Sequence, residues 1–220
     1  MDDPSLPSAD EYHDFFDGIY TAAGRNDAAV PWQNAVSRSM VDEWLTGFDA
    51  SQHTNALVVA AGLGDDAAAL AARGLDVTAF DRSPAAVDWA AERHAHHDIT
   101  WATADLFTPP ADWRAGFDLV LEVFTIQSIP PDRQAQAAAA IRSLTAAGGR
   151  LVVVALVRSP DSDPSGPPWP LHPATLDAIG VHDDTSRWST EDHSERELAP
   201  DLRIVRRTLR RSDQIAERAR

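Results

Sequence analysis

The chain has 220 residues, the length of one ordinary domain and too short for two. Its 34 acidic residues outnumber 19 basic ones, and a formal charge of −15 argues against nucleic acid or an anionic membrane surface as a partner. The absence of cysteine and lysine excludes disulfides, thiolate metal ligands, a cysteine nucleophile and Schiff-base chemistry. We find no apolar run of membrane-spanning length and no signal peptide, so we expect a cytoplasmic protein with a small-molecule partner. The excess of alanine and arginine is typical of GC-rich bacterial coding.

Two amphipathic helices are predicted near the N-terminus, after a polar stretch over residues 1–9. The first spans 10–24 and carries an apolar stripe, and the second spans 33–48. Pro31 and Trp32 lie between them. We expect the aromatic residues of this segment mainly to pad the sheet, and we leave open whether Trp32 contacts a ligand instead.

A strand, a glycine turn, a helix and a second strand follow over residues 55–81. The predicted strands cover 57–60 and 75–80, and the helix between them covers 65–73. Gly62 and Gly64 lie at the strand-to-helix turn, where the lack of a Cβ allows close backbone approach to a ligand. Asp81 comes directly after the second strand, where a carboxylate can accept hydrogen bonds from both hydroxyls of a ribose. This unit therefore predicts an adenosine-type cofactor site.

The residues at the helix start indicate which adenosine cofactor fits. A dinucleotide fingerprint requires a third glycine, but Ala67 occupies that position. Asp65 and Asp66 would repel a pyrophosphate, whereas they suit a ligand with sulfonium and ammonium groups. The turn resembles that of class I S-adenosylmethionine-dependent methyltransferases, and within them the thiopurine methyltransferase-like group. The first glycine usual in that family is Ala60 here.

The rest of the chain predicts further alternation of helices and strands. A helix begins after an N-cap at Ser83, and another follows Asp132 as its expected cap. The remaining predicted elements are helices over 83–95, 133–146 and 174–179, strands over 98–104, 117–124, 151–157, 183–191 and 201–211, and a frayed tail over 212–220.

The resemblance implies a fold and a division of the chain. We expect a Rossmann-like α/β fold: a seven-stranded, mostly parallel sheet with helices on both faces, a C-terminal antiparallel hairpin and an N-terminal helical cover. The cover would span 1–50, the methyltransferase domain 51–211 and the flexible tail 212–220.

S-adenosyl-L-methionine is the cofactor that the resemblance implies. In that family an acidic residue after the third strand accepts from the adenine amine, which indicates Asp105, and an apolar neighbour such as Leu106 or Phe107 sandwiches the base. The predicted cofactor-binding residues are Ala61, Gly62, Gly64, Asp81, Arg82, Asp105, Leu106 and Glu122.

Three histidines, His94, His96 and His97, crowd a predicted helix end. They cannot easily converge on one ion within four residues, so we read them as a polar helix end and expect no metal.

Residues 122–130 should face the transferable methyl group, because ligands bind beyond the carboxyl ends of the strands. Glu122 is the candidate catalytic residue, either as a base or as a positioning group, with His13 and His172 as weaker candidates. The loop 158–173 holds six of the fifteen prolines, which would stiffen it. Trp32, Phe124 and Trp169 are the predicted substrate-binding residues.

These observations favour an S-adenosylmethionine-dependent methyltransferase that acts on a small molecule as a monomer or homodimer. S-methylation is favoured over N- or O-methylation, since a thiol is partly ionised at neutral pH without a base. The alternative is a methyltransferase-fold protein that binds the nucleoside without turnover, which Ala60 and Ala61 keep open. A nicotinamide oxidoreductase ranks third.

Overall fold

The computed structural model describes residues 9–33, 36–163, 166–181 and 186–213, with side chains from residue 15 to residue 212. The start of the predicted loose N-terminus, the end of the predicted tail and the side chain of His13 lie outside this range. No helix in the described ranges combines the length and the apolar character needed to cross a membrane.

One seven-stranded sheet forms the centre of the molecule, in the order β3-β2-β1-β4-β5-β7-β6. The first five strands pair in parallel, and β7 runs antiparallel to both β5 and β6. The predicted fold is thereby confirmed. The strands are β1 (Asn55–Val59), β2 (Asp76–Asp81), β3 (Ile99–Thr103), β4 (Phe117–Val123), β5 (Thr145–Arg158), β6 (Ser186–Ala199) and β7 (Leu202–Asp213).

Helices cover both faces of the sheet, because successive residues of a buried parallel strand point to opposite sides. In β1, Ala56 and Val58 pack in one cluster with residues of α2 and α3, whereas Leu57 and Val59 pack in another with residues of α5 and α6. The helices are α1 (Ala9–Ala23), α2 (Val36–Gly47), α3 (Asp65–Ala71), α4 (Pro84–Arg93), α5 (Gln134–Leu144) and α6 (Pro173–Ile179).

Several element boundaries differ from the sequence-based prediction. Helix α5 ends at Leu144 rather than near residue 146, because Thr145 pairs with Phe117 and already belongs to β5. Asp132 does not cap α5: it lies inside a short 3₁₀ turn, Pro131–Arg133, and α5 has no side-chain cap. Strand β6 also continues past residue 191 to Ala199, since its hairpin partner β7 pairs with it along this length.

The N-terminal helix packs on the same end of the sheet where the parallel strands finish. Tyr20 and Val30 share a small apolar cluster with Leu63 of the glycine turn and Trp89 of α4. The segment before β1 therefore lies over the carboxyl edge of β1 and β2, the edge at which α/β proteins bind ligands.

Candidate active site

A cavity of about 1270 Å³ opens at the carboxyl edge of the sheet. Its lining comes from the loops after β1 to β5, from α1 and α2, and from the β6–β7 hairpin. Its size exceeds what a nucleoside cofactor alone would fill, since drug-sized ligands occupy sites of roughly 300–1,000 Å³. Two ligands can therefore be held side by side.

The glycine turn after β1 is held by backbone hydrogen bonds. The Ala61 N–H donates to the Phe80 carbonyl at 2.8 Å, and the Gly62 N–H donates to Oδ2 of Asp81 at 2.9 Å. Gly62 has φ +53° and Gly64 has φ +81°, a backbone conformation that side chains disfavour.

Protein side chains fill the space that these glycines leave. A Cβ on Gly62 would lie 2.9 Å from the Tyr20 hydroxyl, and one on Gly64 would lie 2.4 Å from the Trp101 ring. Gly64 thus allows α3 to approach β3 and α4 closely, and Gly62 allows the N-terminal segment to approach the turn.

Ala60 adopts φ +47° at the start of the turn. A residue with a Cβ pays roughly 1–2 kcal/mol to adopt this left-handed conformation. The conformation therefore explains why a glycine is expected there, and the alanine adopts the turn at a cost in strain.

Asp81 receives hydrogen bonds on both carboxylate oxygens. The Gly62 N–H donates to Oδ2 and the Ser83 N–H donates to Oδ1 at 3.0 Å. Burial raises the pKa of Asp81, an effect that these backbone donors oppose. Asp81 lines the cavity, and each oxygen retains a lone pair for a ligand hydroxyl.

Asp105 and Leu106 line the cavity at the end of β3, as does Arg82 at the end of β2. Oδ1 of Asp105 accepts from the Phe107 N–H at 2.9 Å, which fixes the carboxylate in place, while its Oδ2 has no partner among the described residues. Leu106 is buried and the Phe107 ring packs against the Arg133 guanidinium. These residues form an apolar slot with one fixed acceptor.

Asp65 and Asp66 are already paired with cations of the protein. Asp65 contacts Arg93 at 3.2 Å and also accepts from Gln33, and Asp66 contacts Arg38 at 3.2 Å. Burial opposes the ionisation of Asp65, but a hydrogen bond with His94 and the charge of Arg93 outweigh it and lower its pKa, whereas burial raises the pKa of Asp66 to about 6. Both carboxylates line the cavity but also join the N-terminal segment to the turn, so their service to a cationic ligand stays a prediction.

Trp32 and Tyr20 lie beside the glycine turn. The indole N–H of Trp32 donates to the Tyr20 hydroxyl at 3.0 Å, and the Trp32 ring also packs edge-on against Phe16. All three side chains line the cavity. Sequence reasoning missed Tyr20 as a site residue, although its aromatic stripe with Phe16 was visible.

The cavity lining divides by charge along the sheet. The charged half comprises the lining residues from Val58 to Phe107, and its aspartates, arginines and histidines follow β1, β2 and β3. The uncharged half comprises the lining residues from the end of β4 onward, among which no described residue carries a charge. These are Val123, Phe124, Thr125, Gln127, Ser128, Ile129, Leu156, Pro167, Pro168, Leu198 and Leu202.

Phe124 occupies a strained position in the uncharged half. Its φ is +62°, which is rare for a bulky residue, and its N–H donates to the Val154 carbonyl at 2.9 Å. The strain turns the chain sharply after β4 and brings the ring to the cavity, where it was predicted.

Glu122 lies beneath the cavity and does not line it. It is fully buried, and its Oε2 accepts from the N–H groups of Thr125 at 2.8 Å and Ile126 at 3.3 Å. Its Oε1 has no hydrogen-bond partner among the described residues, and burial raises its pKa to about 7. The structure therefore places this carboxyl group as a support of the turn after β4, away from the lining surface at which a base would meet substrate.

Trp169 is buried at 4% exposure, and its N–H donates to the Gln127 carbonyl at 2.7 Å. The proline loop contributes Pro167 and Pro168 to the lining instead. His172 accepts from the Ala174 N–H at 3.0 Å and caps α6. The predicted aromatic wall at Trp169 is thus replaced by two proline rings.

The three clustered histidines have different surroundings. His94 is buried, with Nε2 3.0 Å from the Leu63 carbonyl, and its ring stacks on Trp101. His96 and His97 are more exposed at the cavity edge, and burial lowers the pKa of His97. Within the described ranges, no cluster of three or more histidine, aspartate or glutamate side chains could hold a metal ion.

Comparison with known proteins identifies the central unit. Residues 56–149 match the family described as "Methyltransferase domain". No curated protein matches the chain.

Solved structures share the fold at low identity. Magnesium protoporphyrin IX methyltransferase from Synechocystis PCC 6803, with bound SAM, has a TM-score of 0.69 at 16% identity and covers 96% of this chain and 100% of its own. The 1,6-didemethyltoxoflavin-N1-methyltransferase from Burkholderia thailandensis, with S-adenosylhomocysteine, has a TM-score of 0.66 at 20% identity, and the match covers 97% of this chain and 94% of its own. The [4+2]-cyclase SpnF has a TM-score of 0.69 at 16% identity, and the match covers 95% of this chain and 98% of its own.

The charged half fits the predicted cofactor. It offers Asp81 beside the glycine turn for a ribose, and the Asp105 oxygen with the Leu106 slot for a purine. The match over residues 56–149 and the shared fold support the predicted enzyme class, an S-adenosylmethionine-dependent methyltransferase, and its cofactor.

Proposed function

We propose that this protein methylates a small, largely apolar molecule, with sulfur as the favoured accepting atom and a ring nitrogen as the second choice. The observation that carries this proposal is the absence of any charged side chain among the described lining residues from the end of β4 onward. A permanently charged acceptor would lose its hydration there without gaining a partner, whereas a thiol can enter in its neutral form.

The mouth of the cavity supports an apolar acceptor. Among the described residues, four large hydrophobic side chains are exposed, and three of them line this cavity: Phe15 at 47%, Val36 at 42% and Leu198 at 43%. Exposed apolar side chains that gather at one opening are typical of a binding site.

The chemistry follows from what the uncharged half lacks. S-adenosylmethionine supplies an electrophilic methyl group on a sulfonium sulfur. An alcohol needs a base to attack it, whereas a thiol with a pKa near 8.5 is already a few per cent ionised at neutral pH. Glu122 is buried beneath the lining and holds the turn, so we assign it a positioning role rather than that of a base.

The residues of the charged half would hold the cofactor while the uncharged half aligns the acceptor and excludes water. We assign Asp81 to the ribose and Asp105 with Leu106 to the purine. We assign Ala61, Gly62 and Gly64 to the turn beside the methionine part, with Arg82 at its edge. Trp32 and Phe124 would flank the acceptor.

A panel of thiols, phenols and nitrogen heterocycles with S-adenosylmethionine tests the proposal, with methylated product and S-adenosylhomocysteine measured by mass spectrometry. We expect thiols to react fastest, and Glu122→Gln to retain most of the activity. Activity confined to phenols and abolished by Glu122→Gln would contradict both statements.

A second candidate function is binding of the cofactor without methyl transfer, and two observations support it. Ala60 strains the turn, and a protein with the same fold is a [4+2]-cyclase. Calorimetric binding of S-adenosylhomocysteine without methylation of any panel member would favour this candidate. Mass spectrometry of ligand retained after purification would also distinguish a dinucleotide from S-adenosylhomocysteine.

A further inference from the structure

Gln127 is a buried amide at the lining of the uncharged half. The residue is 1% exposed and follows β4 in the turn that Glu122 supports. Its backbone carbonyl accepts from the Trp169 N–H at 2.7 Å, which ties it to the proline loop. Both the backbone and the side chain are therefore held in place.

The orientation of its amide is fixed by a neighbouring strand. Oε1 of Gln127 accepts from the Leu156 N–H of β5 at 2.5 Å, so the nitrogen must be the other atom of the amide. This Nε2 carries two hydrogens and has no hydrogen-bond partner in the described part of the chain. Gln127 thus keeps a fixed donor group among the described lining residues of the uncharged half.

The two hydroxyl groups of this half already donate hydrogen bonds within the protein. The Thr125 hydroxyl donates to the Val59 carbonyl at 3.2 Å, and the Ser128 hydroxyl donates to the Phe124 carbonyl at 2.8 Å. Gln127 is therefore the residue of the uncharged half with donor hydrogens still uncommitted among the described side chains.

We propose that Gln127 determines substrate specificity by donating a hydrogen bond to the methyl acceptor. The substrate class is then an uncharged, apolar ring compound that bears a carbonyl oxygen or an unprotonated ring nitrogen. This inference rests on the proposed function, because it assigns the substrate to that cavity. A ligand without such an atom would leave the buried amide unpaired, at a cost of about 1–3 kcal/mol.

The experiment uses binding rather than turnover. The full chain is saturated with S-adenosylhomocysteine, and matched ligand pairs are titrated by ligand-observed NMR: quinoline against naphthalene, and acetophenone against α-methylstyrene. We expect the wild type to prefer the member with the acceptor atom by roughly 5- to 100-fold, which corresponds to that cost.

Gln127→Met keeps the length of the side chain and removes the donor, so it should abolish the preference. Gln127→Glu keeps an oxygen for the Leu156 N–H, and its preference should fall as the pH rises and the carboxyl loses its proton. Ser143→Ala removes a hydroxyl of α5 outside the cavity lining, so it serves as the control and should retain the wild-type preference. No preference in the wild type, or an unchanged preference in both Gln127 variants, would overturn the inference.

The outcome is separable from that of the proposed function. If Gln127→Met loses the preference but no compound is methylated, the inference stands and the methyl transfer fails. If thiols are methylated but Gln127→Met binds both members of each pair as the wild type does, the function stands and the role of Gln127 fails.

Discussion

The two halves of the cavity are built from different interactions. The charged half is linked internally: Asp81 holds the Gly62 and Ser83 amides, and Asp65 and Asp66 hold Arg93 and Arg38. The uncharged half consists of apolar side chains and proline rings, with one amide that keeps two donor hydrogens. A linked site suits a cofactor common to many enzymes, whereas a surface defined mainly by shape suits a variable partner.

This difference predicts which property a substitution in each half will change. Substitutions in the charged half should reduce stability and cofactor affinity, because its groups support one another. Those in the uncharged half should change acceptor choice while leaving cofactor affinity intact.

The largest expected effect is that of Gly64→Ala. The new Cβ would lie 2.4 Å from the Trp101 ring and the backbone would be strained at φ +81°, so we expect a loss of roughly 2–5 kcal/mol in the free energy of unfolding. Denaturant unfolding measures it. Gly74→Ala is the matched control: its φ is +86° but nothing lies within 4 Å, so it should lose only about 1–2 kcal/mol. Equal losses would show that Trp101 moves aside freely.

The next effect concerns the pH dependence of stability through Glu122, which lies between the halves. Burial raises its pKa from 4.5 to about 7, so the folded state binds a proton that the unfolded state has lost. Its contribution should therefore be most favourable below pH 4.5 and should worsen as the pH rises through 7, by roughly 3 kcal/mol. Glu122→Gln should flatten this slope, as thermal unfolding at pH 5, 6, 7 and 8 would show. A slope identical to that of the wild type would contradict the burial of an uncompensated carboxyl.

Asp81→Asn should weaken S-adenosylhomocysteine by roughly one to two orders of magnitude, because a hydrogen bond to a charged group contributes about 1.5–3 kcal/mol. The turn should also loosen, since the amide cannot accept from both Gly62 and Ser83. Calorimetry and a melting curve separate the two effects.

Two matched variants sharpen that comparison. Asp105→Asn keeps an oxygen for the Phe107 N–H, so it should weaken binding without loosening the loop. Leu198→Ser, at the mouth of the uncharged half, should leave cofactor affinity unchanged. A loss of affinity in Leu198→Ser equal to that in Asp81→Asn would break the division between the halves.

The smallest effect is expected for Arg93→Gln. Arg93 joins Asp27 of the N-terminal segment to Asp65 of the turn, but a partly exposed pair contributes only about 0–1 kcal/mol. Proteolysis before residue 33 is the sensitive readout and should become faster, with bound S-adenosylhomocysteine slowing it in the wild type. Arg114→Gln, at an exposed site before β4, serves as control. Unchanged cleavage would mean that apolar packing alone holds the segment.

Local patterns indicated which residues lie at the charged half. Gly62, Asp81 and Asp105 each follow a buried strand in sequence, and the parallel order of β1, β2 and β3 brings these strand ends together. The fold was predictable for the same reason, since apolar strands alternate with helical segments. Residue assignments in this half remain predictions until binding is measured.

Features that depend on distant partners were not predictable. Nothing near Asp65 in sequence indicates that Arg93, 28 residues further on, neutralises it. Gln127 gains its fixed donor only because β5 places the Leu156 N–H beside it. Helix α5 likewise ends early through pairing with a strand that lies far back in the chain.

The strained alanine at the start of the glycine turn has a consequence for protein engineering. Alanine and glycine codons differ by a single nucleotide, so Ala60→Gly lies within one mutational step of this gene. Removing the left-handed strain at φ +47° would raise the free energy of unfolding by about 1 kcal/mol. The greater conformational entropy that glycine gives the unfolded state would offset part of this gain. That substitution is a natural starting background for selecting altered acceptor specificity, because new side chains around Gln127 will themselves lower stability.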